Sequence, residues 1–234
     1  MTQEWEARCQ QEETLWRQKS CIRWLKEGEQ NTKFFHRITM ARRAHNKILK
    51  IKDQDGIEHE SHQEIESTMV RHFHGIAQEP HQYRSKAIQR ITWHIPRLVT
   101  EEQNIFLNNP IFTEEVDQDL QEIPSGKAPG PDGFTVELFK AYWEIVRHDI
   151  YKVVEDSRRS ASILKALNAT MITLIPKENE AKTPDRYRPI ALCNVIYKII
   201  SKIIENRLKP LLPSLISQEQ VGFVEGRKIM DNII

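Results

Sequence analysis

Residues 195–213, "VIYKIISKIIENRLKPLLP", set Val195, Ile196, Ile199, Ile200, Ile203, Ile204, Leu208 and Leu211 on the widest apolar face in the chain. The spacing is that of an amphipathic helix, with Asn194 at its N-cap position. A face that wide must be covered, so this helix belongs to the core. Of the 234 residues 39% are hydrophobic, enough to build a core in part of the chain. With 29% charged, much of the remainder is exposed helix or lies against something polar.

The elements that precede it supply partners. A helix is predicted from Thr113, with Glu114, Glu115 and Asp117 at the positive end of its dipole and Val116 and Leu120 inward, ending before Pro124. A second follows Asp132 or Thr135 as cap and carries apolar residues at Val136, Phe139, Trp143, Val146, Ile150 and Val153/Val154. Next, "ATMITLIPK" and "RYRPIALC" read as two β-strands around a polar turn. Pro176 and Pro189 exclude both arms from central sheet positions. The turn carries Lys177, Lys182, Arg186 and Arg188.

Toward the N-terminus the pattern thins. Trp5 through Lys33 reads as helix, with Leu15, Trp16, Ile22, Trp24 and Leu25 near one stripe and a break near Gly28. Phe34, Phe35 and Ile38 then stand among Lys33, Arg37, Arg42, Arg43 and Lys47. That arrangement either stacks on nucleobases with its cations on phosphate, or packs its aromatics as the inner face of a helix. A short hairpin turns at Asp55-Gly56, and helix returns from Ser61 to Phe73. Residues 75–110 are polar, proline-punctuated and weakly periodic, and read as a linker. His59, His62, His72 and His74 lack the cysteine or carboxylate company of a closed zinc site.

Charge divides the chain more sharply than the net value of +1 shows. Residues 1–52 hold 12 basic and 6 acidic groups, 53–120 hold 5 and 13, and 121–234 hold 17 and 14. The division predicted is a basic helical arm (1–52), an acidic hairpin, helix and linker (53–112) and an apolar C-terminal half (113–234), in a protein that faces a polyanion. No run of about 18 apolar residues is present, which excludes a membrane-spanning helix. Three scattered cysteines, Cys9, Cys21 and Cys193, argue against a disulfide framework and for an intracellular, reducing compartment.

"GKAPGPDG", residues 126–133, stands between the two predicted helices. It is not a Walker loop, because its lysine precedes the prolines and no hydroxyl follows. Pro129 and Pro131 stiffen it, Gly130 and Gly133 permit close backbone approach, and Lys127 and Asp132 project from it.

Taken in order, "PSGKAPGPDGF", "LIPK", "RYRPIALCNVIYKIISKIIENRL" and "QVGFVEGRKIMDNII" resemble the opening motifs of a non-LTR (LINE-type) retrotransposon reverse transcriptase. "WRQKSCIRWLKEGEQNTKFFH" is similar to the segment that joins endonuclease to polymerase in plant LINE-type polyproteins, with Cys21 where arginine and Glu29 where aspartate is usual. The resemblance implies an α+β, mostly helical fold: an N-terminal helical extension plus the fingers of a right-hand polymerase, without palm and thumb. It implies nucleotide contacts from Lys177 and Arg188, with Arg186 a second candidate two residues earlier on the same face. Lys127, Arg42, Arg43, Lys47 and Arg227 are the expected nucleic-acid contacts, with Asp132 capping the helix after the elbow.

In the family two magnesium ions are held by aspartates beyond the "DNI" helix. The nine aspartates here include no adjacent pair, and Ile234 falls about where the first metal-binding strand is due. No residue is therefore assigned to catalysis or metal, Asp231 included, and magnesium is implied for the complete polymerase alone. RNA template and DNA primer are the implied partners, bound weakly and without base preference, and the family implies the nucleus. Self-association through the Ile-rich helix is expected where the rest of the polymerase does not cover it. The alternative readings are an autonomous nucleic-acid-binding or interaction module, and a decayed transposon relic.

Overall fold

A computed structural model describes residues 2–20, 32–78, 84–217, 220, 224, 226 and 227, and shows a mostly helical α+β chain with two small sheets. It divides into two compact units, Met1–Glu79 with Ile172–Ala191, and Pro80–Met171 with Leu192–Ile234. The charge division follows composition; this one follows packing, and it groups most of the second strand pair with the N-terminal residues.

In the first unit α1 (Thr2–Ser20) lies against α2 (Thr32–Asn46). Phe35 and Thr39 are buried on the inner face of α2 and Phe34 and Ile38 half-buried. The aromatics therefore pack as core, and of the two readings of this stripe the structure favours the amphipathic helix. The predicted break at Gly28, with Cys21, Ile22, Trp24, Leu25 and Glu29, lies outside the described residues. Strands β1 (Ile51–Lys52) and β2 (Glu58–His59) pair antiparallel, Ile51 opposite His59. Their turn is held by the Asp53 carboxylate, which accepts from Asp55 N and Ile57 N, and by Gly56 at φ +80°, a conformation a side chain would strain. His59 Nε2 sits 2.9 Å from the second Asp53 oxygen. That contact, foremost, lowers the Asp53 pKa. Helix α3 (His62–Ala77) starts at Ser61, whose hydroxyl accepts from Glu64 N. It buries Ile65, Thr68 and Met69, and Ile65 and Met69 join Ile51, Ala181 and Tyr187 in a small core.

The stretch read as a linker is not structureless. It contains α4 (Arg84–Thr92) and α5 (Glu101–Asn108). Thr100 and Gln103 form a capping box, the Thr100 hydroxyl accepting from Gln103 N and Gln103 Oε1 accepting from Thr100 N. Both helices are short and α5 buries no residue fully, so periodicity had no apolar stripe to register.

Around the Ile-rich helix the sequence reading holds in outline. Helix α6 (Thr113–Glu122) buries Val116 and Leu120. Helix α7 (Val136–Ala141) is capped by Thr135, whose hydroxyl accepts from Leu138 N, and buries Val136 and Phe139. The single helix expected here is interrupted at Tyr142 and resumes as α8 (Trp143–Ser160), which buries Trp143, Ile150 and Val154. The break coincides with the Trp143 indole donating to Asp117 at 2.7 Å. After the short α9 (Lys165–Asn168) come β3 (Thr170–Pro176) and β4 (Tyr187–Cys193), paired as expected, with one 3-10 turn at Pro184–Arg186. Helix α10 (Val195–Leu208) buries Val195, Ile199, Ile200 and Ile203 at the centre of this second core, and α11 (Leu212–Leu215) follows. Each such side chain fully buried stabilises by about 1.5–3 kcal/mol, and this cluster is much the larger of the two.

Candidate nucleotide and nucleic-acid site

The elbow at residues 126–133 is fixed from three sides. Asn194 occupies the N-cap position of α10 without a side-chain capping bond. Its Oδ1 accepts from Asp132 N at 3.3 Å, and its Nδ2 donates to the Ala166 and Leu167 carbonyls. Lys198 Nζ donates to Ala128 O at 3.3 Å, and Gly126 N donates to the Glu137 carboxylate. Gly130 is buried against this anchor: a Cβ there would collide with Asn194 Oδ1 and N and lie 2.6 Å from the Cys193 carbonyl carbon. The glycine is required by close approach. Of the two caps the sequence offers, Asp132 and Thr135, the structure uses Thr135; the cap role implied for Asp132 by the resemblance is not seen, and its carboxylate accepts from Phe134 N at 3.0 Å in a local turn. Lys127 is left exposed at the surface of a rigid loop.

Between β3 and β4 the chain presents its cations unequally. Lys177 N donates to Arg186 O at 2.9 Å, closing the pair, and Lys177 Nζ donates to Asp185 O at 2.7 Å with no ion pair of its own among the described residues. Arg186 lies in the 3-10 turn and not in the strand, so strand alternation does not put it on one face with Arg188. Its Nε stands 3.3 Å from Asp185 and 3.7 Å from Glu178, while Lys182 stands 3.9 Å from Glu180. The Asp185 carboxyl is held below its usual range, chiefly by a Thr183 hydrogen bond, with Arg186 and Lys177 adding their charge. Arg188, on β4, is exposed and has no ion pair among the described residues. Underneath, Tyr187 is buried with its hydroxyl donating to Ala181 O at 3.0 Å, and Lys52 N donates to Lys182 O at 2.7 Å. The turn is thus clamped to the first core while Arg188 stays available.

The remaining candidates separate the same way. Arg42, Arg43 and Lys47 are all exposed, but Arg42 alone of the three has a side-chain hydrogen bond among the described residues, donating to Ser20 O at the end of α1, a helix-terminating contact. Arg227 donates to four carbonyls, those of Pro213, Ile216, Ser217 and Gln220, and is occupied in holding the chain after α11. Most of "QVGFVEGRKIMDNII", Asp231 included, lies outside the described residues. Among the described residues no three His, Cys, Asp or Glu side chains stand together as metal ligands. No helix among them is long and apolar enough to cross a membrane. Cys9 and Cys193 are free and half-buried.

Sequence reasoning missed Arg207. Only 9% exposed, it donates to both Glu115 oxygens at 2.7 Å and to the carbonyls of Leu107, Asn109 and Pro110. The signal was in the stripe, since Arg207 continues the fourfold step of Val195, Ile199 and Ile203. Asp119, 2% exposed, was missed too. One oxygen accepts from Asn206 at 2.5 Å and the other has no partner among the described residues. Burial pushes its pKa up to about 6, with Glu115 and Glu122 adding and the Asn206 bond and Lys202 opposing.

Residues 175–233, which begin just before the β3–β4 turn, match the family described as reverse transcriptase (RNA-dependent DNA polymerase). The chain is 26% identical over 215 residues to the transposon TX1 uncharacterized 149 kDa protein of Xenopus laevis, an alignment covering 92% of this chain and 16% of that protein. It is also 26% identical over 129 residues to the probable RNA-directed DNA polymerase from transposon BS of Drosophila melanogaster, covering 53% of this chain and 14% of that one. A third relative, the putative 115 kDa protein in type-1 retrotransposable element R1DM of Drosophila melanogaster, is 26% identical over 119 residues, 50% of this chain and 12% of its own. The chain thus spans about one-sixth or less of the length of these relatives. Residues 175–233 thus resemble a reverse transcriptase, and the chain more widely resembles a part of transposon and retrotransposon proteins.

Proposed function

We propose that this segment is the N-terminal extension and fingers of the polymerase, with 1–52 as the arm linking it to an upstream endonuclease, 53–112 as a spacer and 113–234 as the start of the polymerase domain. In this reading it contacts the template strand and the incoming nucleotide and leaves the metal-dependent step to residues elsewhere in the polymerase. Arg188 carries the proposal. It is an exposed guanidinium with no ion pair among the described residues, held on a clamped strand inside the stretch that matches the family. A planar fork of donors suits the oxygens of a triphosphate. Lys177, with a carbonyl as its recorded side-chain partner, is the second contact; Arg186, flanked by two carboxylates, contributes less.

Strand contacts fall to Lys127, Arg43 and Lys47, which touch phosphate without reading bases. Arg42 and Arg227 lose weight here because their guanidinium groups are engaged by carbonyls. Magnesium would supply charge neutralisation and alignment in the whole polymerase, and no step is assigned to it through these residues. The partners are then an RNA template and a DNA primer, in the nucleus. Ile204 and Leu208, 53% and 36% exposed, line an apolar cavity of about 430 Å³ with Leu107, Ile111, Val154 and Ile163, the face that other parts of the polymerase or a second copy would cover. The test is triphosphate binding to the chain followed by NMR. Perturbation centred on residues 177–188, lost in Arg188→Ala, supports the reading; perturbation elsewhere, unchanged in that variant, refutes it.

A further inference from the structure

Between Glu79 and Glu101 the sequence has no acidic residue and holds Arg84, Lys86, Arg90 and Arg97. Four of the five bases in the acidic segment 53–120 therefore fall in one short stretch, which averaging over the segment conceals. Arg84, Lys86 and Arg90 of this stretch fall on helix α4, whose last backbone bonds continue past Thr92: Trp93 N donates to Gln89 O and His94 N to Ile91 O. Lys86, Arg90 and Trp93 stand at i, i+4 and i+7 and so share one face. With Gln89 and His94 they line a shallow surface depression. Trp93 is 86% exposed, and neither Lys86 nor Arg90 has an ion pair among the described residues. Ile88 and Ile91 occupy the opposite face.

We propose that Lys86, Arg90 and Trp93 form a binding face for single-stranded RNA, the two cations meeting successive phosphates and the indole stacking on a base. The choice of RNA rests on the reading of the chain given above; the face itself rests on α4. A membrane-surface helix is the competing use of a short basic amphipathic segment, but there the tryptophan would side with the isoleucines at the apolar boundary. Here it stands among the cations, the arrangement that suits a phosphate backbone with exposed bases. No carboxylate of this stretch competes for either cation.

The experiment uses the full 234-residue chain and a fluorescein-labelled 20-nucleotide single-stranded RNA of mixed sequence, with anisotropy read over a series of salt concentrations. Lys86→Gln with Arg90→Gln is expected to lower the slope of log affinity against log salt by about 1.4, each lost phosphate contact contributing about 0.7 on a single strand. Trp93→Ala is expected to weaken binding about 5- to 150-fold with the slope unchanged, and Trp93→Phe to restore part of it. Circular dichroism checks that these exposed substitutions leave the fold intact.

RNA binding equal to wild type in the variant that combines Lys86→Gln, Arg90→Gln and Trp93→Ala would overturn the proposal. So would equal affinity for duplex and single-stranded RNA, or binding to phosphatidylserine vesicles with none to RNA. Lys177 and Arg188 are untouched in these variants, so the nucleotide site and this face stand or fall separately.

Discussion

Arg207 and Arg188 are the same residue type in opposite settings. Around Arg207 everything is spoken for: a buried guanidinium, a bidentate carboxylate and three carbonyls at the edge of a large apolar core. Around Arg188 the backbone is clamped and the side chain is left open. A charge taken out of water is tolerated only with full partnership, whereas an exposed charge without partners adds nothing to the fold and is free to meet a ligand. The difference separates residues that hold the fold together from residues left open to a ligand, which we propose is the incoming nucleotide.

The sharpest way to break the contrast is Arg207→Ala. It strands Glu115 and three carbonyls, and should destabilise the chain by about 3–5 kcal/mol in chemical or thermal denaturation. A loss under 1 kcal/mol would place Arg207 with the exposed bases. Gly130→Ala comes next, because its Cβ would meet backbone that cannot swing aside. About 1–3 kcal/mol should be lost, with chemical-shift changes spreading from the elbow to the start of α10.

Asp119 gives a smaller effect of the opposite sign. Its folded pKa, about 6, lies above the ordinary value of 3.8. The folded state therefore binds more protons between about pH 4 and 6, and stability should fall as pH rises through that window, by at most about 1.4 kcal/mol per unit. Asp119→Asn should flatten this dependence and raise stability at pH 7 by about 1–2 kcal/mol. Flat wild-type stability across the window would show that the carboxylate is solvated. Smallest of all, Arg188→Ala should change stability by less than about 0.5 kcal/mol, as exposed substitutions do.

Long apolar stripes were legible. Helix α6, the α7–α8 stretch read as one helix, the two strand pairs and α10, with Val116, Leu120 and Ile199 buried, were readable from apolar spacing and turn residues, whereas the break at Tyr142 and the short α9 were not. What escaped depends on partners distant in sequence. Arg207 reaches Glu115 across 92 positions, and Asn194 gives its amide to the elbow and to α9 instead of capping its own helix. Nothing in "PSGKAPGPDGF" announces that Gly130 abuts Asn194. Short helices escaped for another reason: α4 has nine residues, α5 has eight and buries nothing fully, so neither carries a stripe long enough to stand out in the sequence. At the candidate site, residue type and order were readable, but the acids that flank Arg186 and the carbonyls that occupy Arg42 and Arg227 were not.

The central claim is that Arg188 and Lys177 receive the incoming nucleotide. Steady-state primer extension by a polymerase that contains this chain tests it most directly, with deoxynucleotide concentration varied. Arg188→Ala and Lys177→Ala should each raise the nucleotide KM or lower kcat by a factor of about 10 or more, as loss of one charge-assisted contact of about 1.5–3 kcal/mol requires. Arg186→Ala should cost less. Unchanged nucleotide kinetics in both the Arg188 and Lys177 variants would contradict the account.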